Sequence, residues 1–227
     1  MKLAIFDFDG TLFPKDTLPF LLSQWKANNY SSVKLLRVNL PLIPLYITYK
    51  LGLKSKLTRE QMKLRAFQGF HEILKGMSEK EIKHYLTSSA EAIIKELNSE
   101  IVTEVHRVHQ SGYHTVLLSG SYSLLLDKIA EYLEIDTVIG TEIRFDSQGI
   151  IDLSKDLNVA SGQSKVHRLQ DYFKNHSIEW EGSCAYADSY SDIHLLQTVG
   201  QPIVVNPDNE LRSIATQTNW RIISSVS

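Results

Sequence analysis

The chain of 227 residues contains a single cysteine, Cys184, so no disulfide can form within it. A protein without disulfides suits a reducing compartment, and we expect a cytoplasmic location. Cys184 lies in the apolar run 183–187, which favours a buried small side chain over a nucleophilic thiol.

The sequence also lacks a hydrophobic run long enough to cross a membrane. The uncharged stretch 38–49 is shorter than the roughly 20 residues that a transmembrane helix needs, and it contains two prolines. Asp7 and Asp9 interrupt the apolar N-terminal run, which argues against a signal peptide. We interpret 38–49 as internal packing of a helical unit or, alternatively, as an apolar face for a lipid-like substrate or a membrane surface.

A large excess of charge of one sign is absent as well. The formal net charge is −2, which provides no electrostatic argument for nucleic-acid binding. The charges are unevenly distributed, because residues 13–95 hold 14 lysines and arginines against 6 acidic residues. This basic segment fits an anion-attracting cover over a cation-dependent site, and a lysine-rich solvated helical surface would explain the same excess.

Short apolar runs alternate with helical patterns outside residues 13–95. The predicted strands are Leu3–Phe6, His114–Leu118, Val138–Ile143, Cys184–Ala187 and Pro202–Val205. Strands that alternate with helices predict βαβ units and a doubly wound, mostly parallel α/β sheet. We also expect a hairpin around Asp146–Gly149 and a last edge strand over 220–223.

Residues 13–95 have a different pattern. Apolar residues recur there at three- and four-residue spacing, which predicts helices over 18–26, 60–74 and 79–94. The sequence therefore predicts an α/β core domain of residues 1–12 and 97–227 with an inserted helical cap of residues 13–96, placed where it could act as a lid.

The most informative motif, Asp7-Phe8-Asp9-Gly10-Thr11, directly follows the first predicted strand. Its two acids can share a site only if the chain turns sharply at the second one, and Gly10-Thr11 is a turn sequence. Open α/β sheets bind ligands at the carboxyl ends of their strands. The motif favours a carboxylate nucleophile assisted by Mg²⁺ and a second acid of higher pKa, although a solvated turn has the same composition.

Three later segments supply the other polar groups that phosphoryl transfer needs. Ser119-Gly120 ends the second predicted strand and suits phosphate oxygens, or Ser119 caps a helix. Lys165 lies in a first helical turn, against the helix dipole. An ammonium group directed at a phosphoryl group would explain this position, although most lysines at such positions are simply solvated. Asp188 and Asp192 follow another predicted strand, and helix capping accounts for only one of them.

Together, the order D-x-D-G-T, strand-end Ser, Lys and D-x-x-x-D resembles the haloacid dehalogenase-like phosphohydrolase superfamily, and most of all its phosphoserine-phosphatase-like subfamily with a helical C1 cap. The resemblance covers the chain from end to end. It implies that Asp7 is the nucleophile that becomes an aspartyl phosphate and that Asp9 is the general acid and base. It further implies phosphate binding by Thr11, Ser119, Gly120 and Lys165, and a Mg²⁺ site made by Asp7, the backbone carbonyl of Asp9, Asp188 and Asp192.

The chain departs from that subfamily at several positions. Ala187 replaces the glycine that usually precedes the metal-binding aspartate. Asp16 stands where phosphoserine phosphatases have a glutamate for the substrate amine, and Phe70 aligns with their carboxylate-binding arginine. Phosphoserine is therefore in doubt as the substrate. Three nearby basic residues are candidates to compensate: Arg59, Lys63 and Arg65.

The sequence as a whole predicts a Mg²⁺-dependent phosphomonoesterase that acts on a small organic phosphate. A phosphotransferase or mutase would use the same residues and differ only in the acceptor. A phosphoacceptor signalling domain also combines paired acids with a strand-end hydroxyl and a lysine, but such domains are shorter and lack a helical insertion. An inactive scaffold is a further alternative, which the complete set of polar groups disfavours.

Overall fold

The computed structural model describes residues 1–28, 30–31, 33–35, 59–160 and 162–224, and every structural statement below concerns these residues. The apolar stretch 38–49 lies outside them. The side chain of Arg59, one of the candidate specificity residues, also lies outside the described part.

A six-stranded parallel sheet forms the centre of the described chain, with the strand order β3-β2-β1-β4-β5-β6. The strands are β1 (Leu3–Phe6), β2 (His114–Tyr122), β3 (Thr137–Thr141), β4 (Cys184–Ala187), β5 (Gln201–Val205) and β6 (Arg221–Ile223). The predicted parallel α/β sheet is confirmed, and the C-terminal run is an edge strand. Because β1 pairs with both β2 and β4, the residues that follow these three strands meet at one edge.

Both faces of the sheet are covered, as parallel sheets require. Along β1, Ala4 and Phe6 belong to one hydrophobic cluster, whereas Leu3 and Ile5 belong to the other. All four side chains are fully buried, which explains why this strand is a continuous apolar run without alternation.

The α-helices of the described chain are α1 (Thr17–Ala27), α2 (Arg59–Ile73), α3 (Glu79–Ile94), α4 (Ser99–Gln110), α5 (Ser123–Leu133), α6 (Gln163–Tyr172), α7 (Ile193–Thr198) and α8 (Asn209–Gln217). Helices α1, α2 and α3 lie where helical patterns were predicted between β1 and β2. The capping box of Ser78 and Glu81 is present at the start of α3. No helix within the described ranges has both the length and the apolar character needed to traverse a bilayer.

The start of α3 is bound to the hairpin that follows β3. In this hairpin, Phe145 and Ile151 form an antiparallel bridge, as predicted around 146–149. The backbone N–H of Glu79 donates to the carbonyl of Gly149 at 2.8 Å, and the N–H of Ile151 donates to Met77 at 3.0 Å. Two backbone hydrogen bonds therefore fasten the α3 side of the helical segment to the α/β part of the chain.

An ionic cluster around the buried Glu104 joins α4 to strands β4 and β6. Glu104 accepts hydrogen bonds from Arg221 at 2.9 and 3.0 Å, from Arg107 at 2.9 Å and from the Tyr186 hydroxyl at 2.8 Å. Burial by itself would raise the pKa of Glu104, but the hydrogen bonds from Arg221, Arg107 and Tyr186 outweigh it and lower the pKa to about 2. Glu104 is thus a charged link between elements that are distant in sequence.

This cluster should make stability depend on pH in the acid range. The stabilisation from ionised Glu104 is complete above its unfolded-state pKa of about 4.3 and disappears as the pH falls through its folded-state pKa. We expect Glu104→Gln to lower the free energy of unfolding by about 2 kcal/mol at pH 7 and by progressively less towards pH 3, because the half-exposed arginines are partly screened. Urea titrations between pH 3 and 7 measure this difference.

Glu131→Gln is the matched control, because Glu131 is exposed and, among the described residues, pairs only with Lys128 on its own helix. Its effect should stay within about 0.5 kcal/mol at every pH. A Glu104→Gln destabilisation that did not change with pH would contradict the assigned ionic role.

Candidate active site

The chain leaves the sheet directly after Asp7. The N–H of Asp7 donates to the carbonyl of Tyr186 on β4 at 2.9 Å, which continues the ladder by one residue. The chain then turns at Gly10, which has φ of 79°. The N–H of Gly10 donates to the backbone carbonyl of Phe13 at 2.7 Å, which closes the turn. This is the sharp turn that the two acids require in order to lie near a common site.

Gly10 is required for a second reason as well. A Cβ atom at this position would lie 2.2 Å from Oδ2 of Asp188, far inside van der Waals contact. The absence of a side chain allows the loop after β1 to lie directly against the carboxylate that follows β4. The glycine of the motif therefore determines how closely Asp188 approaches the β1 loop.

Carboxylates from two neighbouring strand ends form one acidic cluster. Asp7 follows β1, Asp188 follows β4, and Asp192 ends the short 3₁₀ turn Tyr190–Asp192 before α7. One oxygen of each carboxylate lies within 4.8 Å of the others. Asp192 occupies the N-cap position of α7, yet its side chain caps no backbone N–H, so its carboxylate is directed to the cluster instead.

Lys165 neutralises part of this cluster from the first turn of α6. Its Nζ lies 2.7 Å from Oδ1 of Asp7 and 2.8 and 2.9 Å from the two oxygens of Asp192. Burial lowers the pKa of this lysine, but the two carboxylates outweigh burial and raise the pKa above its usual range. A positive charge in the first turn of a helix is disfavoured by the helix dipole, and two buried ion pairs compensate for this at Lys165.

One lysine does not balance three carboxylates. Burial and the negative charge of Asp7 raise the pKa of Asp188, and burial also raises that of Asp192 in spite of its contact with Lys165. A compact set of carboxylate oxygens with excess negative charge is the donor set that a hard divalent cation such as Mg²⁺ prefers. The residues present therefore fit the metal that the sequence predicts.

Asp9 lies beside the cluster and is held by the first residue of α1. Its Oδ1 accepts hydrogen bonds from the backbone N–H of Thr17 at 2.8 Å and from the Thr17 hydroxyl. Burial raises the pKa of Asp9 to about 6; the Thr17 hydroxyl opposes this shift, and the charge of Asp7 adds to it. Such a carboxyl group can exchange a proton near neutral pH, which a general acid and base must do.

The candidate phosphate-binding residues are placed at the same edge. The pairing of Phe6 with Leu117 brings Ser119 beside the end of β1, and Ser119 is buried. Because β2 continues to Tyr122, Ser119 is a strand residue and caps no helix. A Cβ at Gly120 would lie 2.9 Å from the carbonyl of Ala160, so glycine permits that close approach. The buried Thr11 hydroxyl has no hydrogen-bond partner within the described ranges.

The candidate specificity residues between β1 and α4 fall into different environments. Lys63 on α2 pairs with Asp16 at 3.4 Å. Burial raises the pKa values of Asp9 and Asp188, and the positive charge of Lys63 opposes both rises. Arg65 is exposed on the same helix. Phe70 is buried and packs against Tyr85 and Tyr122, so it is a core residue in this structure. Lys63 therefore links this set electrostatically to the acids, and Asp16 is joined to Lys63 by the ion pair.

Two functional contacts were missed at the level of sequence. Thr17 was not identified as the partner of Asp9, although a threonine at the start of a helix close after the D-x-D motif was a visible signal. Lys165 and Asp192 were assigned to phosphate and metal separately, whereas the structure pairs them directly. The first contact is local in sequence, and the second depends on tertiary structure.

Comparisons with known proteins identify the family of this chain. The family model described as haloacid dehalogenase-like hydrolase matches residues 4–197. Protein CicA of Caulobacter vibrioides is 30% identical over 195 residues, which cover 86% of this chain and 81% of that protein. The phosphoserine phosphatase SerB1 of Mycobacterium tuberculosis is 27% identical over 121 residues, 53% of this chain and 38% of that protein.

A solved structure shares the fold over nearly the whole chain. The crystal structure of a protein of unknown function from Bordetella pertussis Tohama I superimposes with a TM-score of 0.74 at 23% identity. The match covers 98% of this chain and 97% of that protein.

Proposed function

Because the chain belongs to the haloacid dehalogenase-like hydrolase family, we propose that it is a Mg²⁺-dependent phosphatase that hydrolyses a small phosphomonoester through a phosphorylated Asp7. The prediction of an enzyme of this family is confirmed by that membership. One observation carries the proposal: Lys165 and the carboxylates of Asp7, Asp188 and Asp192 meet in one buried cluster at the sheet edge. The similarity to a phosphoserine phosphatase supports a phosphate ester as the substrate.

Within this proposal, Asp7, Asp188 and the backbone carbonyl of Asp9 would hold the cation, and Asp192 would support it while orienting Lys165. A bound divalent cation would neutralise the repulsion between the attacking carboxylate and the phosphate oxygens. The raised pKa of Asp188 supports this assignment, because a carboxylate that is disfavoured without a counter-charge gains most from a cation.

In the first step, an oxygen of Asp7 attacks phosphorus and the bond from phosphorus to the ester oxygen breaks. Lys165 holds Oδ1 of Asp7, which leaves the other oxygen to form the new bond. Asp9 transfers its proton to the departing alkoxide, a role that its pKa of about 6 suits. Thr17 fixes Oδ1 of Asp9, so Oδ2 is the oxygen placed to carry that proton.

In the second step, Asp9 accepts a proton from water while the water oxygen attacks the phosphorus atom of phosphorylated Asp7. The bond between Asp7 and phosphorus then breaks, which releases inorganic phosphate and restores both carboxyl groups. We assign Lys165, Ser119, Gly120 and Thr11 to the phosphoryl oxygens, because such donors at strand ends can stabilise charge that develops in the transition state.

We further propose that residues 13–96 form a cap over a core of residues 1–12 and 97–227. The placement of Lys63 near Asp9 and Asp188 supports a role of this segment in selecting the leaving group. A cytoplasmic location is part of the proposal, and the burial of the single cysteine is consistent with it.

The proposal is tested by phosphate release from metal-free protein. Amino-acid, sugar, nucleotide and lipid phosphomonoesters are supplied with 5 to 10 mM MgCl₂ or with EDTA, at about pH 7 where Asp9 can exchange its proton. We expect turnover of at least one ester with Mg²⁺, a loss of at least about 100-fold with EDTA, and recovery when Mg²⁺ is restored. Release that persists in EDTA, or no release from any ester, would overturn the proposal.

A further inference from the structure

A cleft of about 510 Å³ lies at the amino-terminal ends of strands β4, β5 and β6. Cys184, Gln201 and Arg221, which open these strands, all line it. The acidic cluster lies beyond the opposite end of β4, because Asp188 follows Cys184 by four residues, about 13 Å of strand. The cleft is therefore separate from the candidate active site.

The lining of this cleft is cationic and rich in hydrogen-bond donors. Among the described residues, it contains Arg107 and Arg221 but no aspartate or glutamate. Asn219 and Trp220 add an amide and an indole N–H, whereas the Thr218 hydroxyl donates to the carbonyl of Ile214. In a protein whose formal net charge is −2, a cleft with two guanidinium groups and no acid favours an anionic ligand.

The two guanidinium groups are held in place before any ligand arrives. Oε2 of Glu104 lies 2.9 Å from Nη2 of Arg107 and 3.0 Å from Nη1 of Arg221, so one buried carboxylate positions both side chains. Because one carboxylate balances two guanidinium groups, this group of three side chains keeps a net charge of +1. The Arg107 and Arg221 side chains are 52% and 51% exposed, so a ligand can reach them. Within the described chain, Nη1 of Arg107 and Nε of Arg221 donate to no protein acceptor.

The size and the apolar part of the lining indicate what the anion is attached to. A volume of about 510 Å³ is within the range of small-molecule sites and far exceeds the volume of an inorganic oxyanion. Tyr113, Trp220 and Pro202 are ring-bearing members of the lining. Flat apolar groups pack well against such rings, and guanidinium groups bind carboxylate or phosphate oxygens with two parallel hydrogen bonds.

We propose that this cleft is a second ligand site, which binds a small organic molecule with a carboxylate or phosphate-like oxyanion on a flat ring. Arg107 and Arg221 hold the oxyanion, and Trp220 and Tyr113 contact the ring. The site lies outside the catalytic machinery, so its occupancy does not require turnover.

Isothermal titration calorimetry with phenylphosphonate tests this inference, because its bond between carbon and phosphorus resists hydrolysis. EDTA in the buffer suppresses metal-assisted binding at the acidic cluster. The decisive variant is Gln201→Glu, which adds a negative charge to the lining at nearly constant shape and leaves the Glu104 ion pairs intact. Gln217→Glu is the matched control, because Gln217 is exposed at the end of α8 and lies outside the lining.

We expect the wild type and Gln217→Glu to bind phenylphosphonate with the same affinity and Gln201→Glu to bind it at least about 10-fold more weakly. Phenylphosphonate should bind more tightly than inorganic phosphate, and benzyl alcohol should not bind. Absence of saturable binding to the wild type, or equal affinities of the two variants, would overturn the inference.

Discussion

Replacing Asp7 by asparagine should abolish phosphate release while leaving the fold intact. The amide has nearly the same shape but cannot attack phosphorus, so no phosphorylated intermediate forms and the rate should fall by at least about 10³-fold. The substitution also removes one charge from an overcharged acidic cluster, which reduces the repulsion that raises the pKa of Asp188. Phosphate release with saturating Mg²⁺ and a thermal melt are the two measurements.

Asp171→Asn is the control for the Asp7 variant. Asp171 is exposed on α6, and its one ion pair in the described part of the chain is with Lys174, at 3.2 Å. The same chemical change there should leave both rate and melting temperature unchanged. Full activity of the Asp7 variant in the presence of Mg²⁺ would exclude Asp7 as the nucleophile. Its failure to fold would show that the carboxylate has a structural role that the proposal does not include.

Replacing Lys165 by methionine should cost both stability and activity. The ammonium group forms ion pairs with Asp7 and Asp192, and its removal leaves two buried carboxylates without their cation. Breaking a buried pair in this way typically costs about 3–5 kcal/mol of unfolding free energy. The variant also lacks the positive charge that would stabilise the transition state, so the rate of phosphate release should fall about 10²- to 10³-fold. Urea unfolding and phosphate release measure the two effects separately.

The stability cost at Lys165 should depend on pH in a defined direction. Without the lysine, the pKa of Asp192 rises further above its unfolded-state value of about 3.9, so the folded variant binds more protons than the unfolded chain. Its stability must therefore fall as the pH rises from about 5 to 8. Lys174→Met, at an exposed lysine, is the control and should show neither effect. A destabilisation that shrank as the pH rose would contradict the assigned ion pairs.

The sequence predicted the framework of the site because that framework depends on local patterns. Apolar runs place β1 and β4, and parallel pairing brings the residues after them to one edge, so Asp7 and Asp188 meet as expected. Helical spacing placed α3 correctly because its buried side chains repeat with the helix. Strand β2 is longer than predicted, because its polar end, Ser119–Ser121, is buried and Tyr122 pairs with Thr141 on β3.

The remaining features depend on contacts that no local pattern encodes. Lys165 and Asp192 are 27 residues apart, and Arg221 and Glu104 are 117 residues apart, yet each pair is in direct contact. The helix that begins near Lys165 ends at Tyr172, since Phe173 leaves the helical conformation and its ring packs into the core. The cationic cleft was not anticipated, because its lining comes from five separate stretches of chain.

Backbone hydrogen bonds join Met77 and Glu79 to the hairpin after β3. The helices between β1 and β2 are therefore held in two different ways. Helix α3 is anchored at its first residue, whereas Thr17 at the start of α1 binds Asp9 directly and Lys63 on α2 pairs with Asp16, the residue before α1. The α3 side is therefore fastened to the hairpin, whereas the α1 side is fastened to Asp9 itself. Because both hydrogen bonds from Thr17 end on Oδ1 of Asp9, any displacement of α1 away from β1 would break them and free the carboxyl group that we propose as the proton donor.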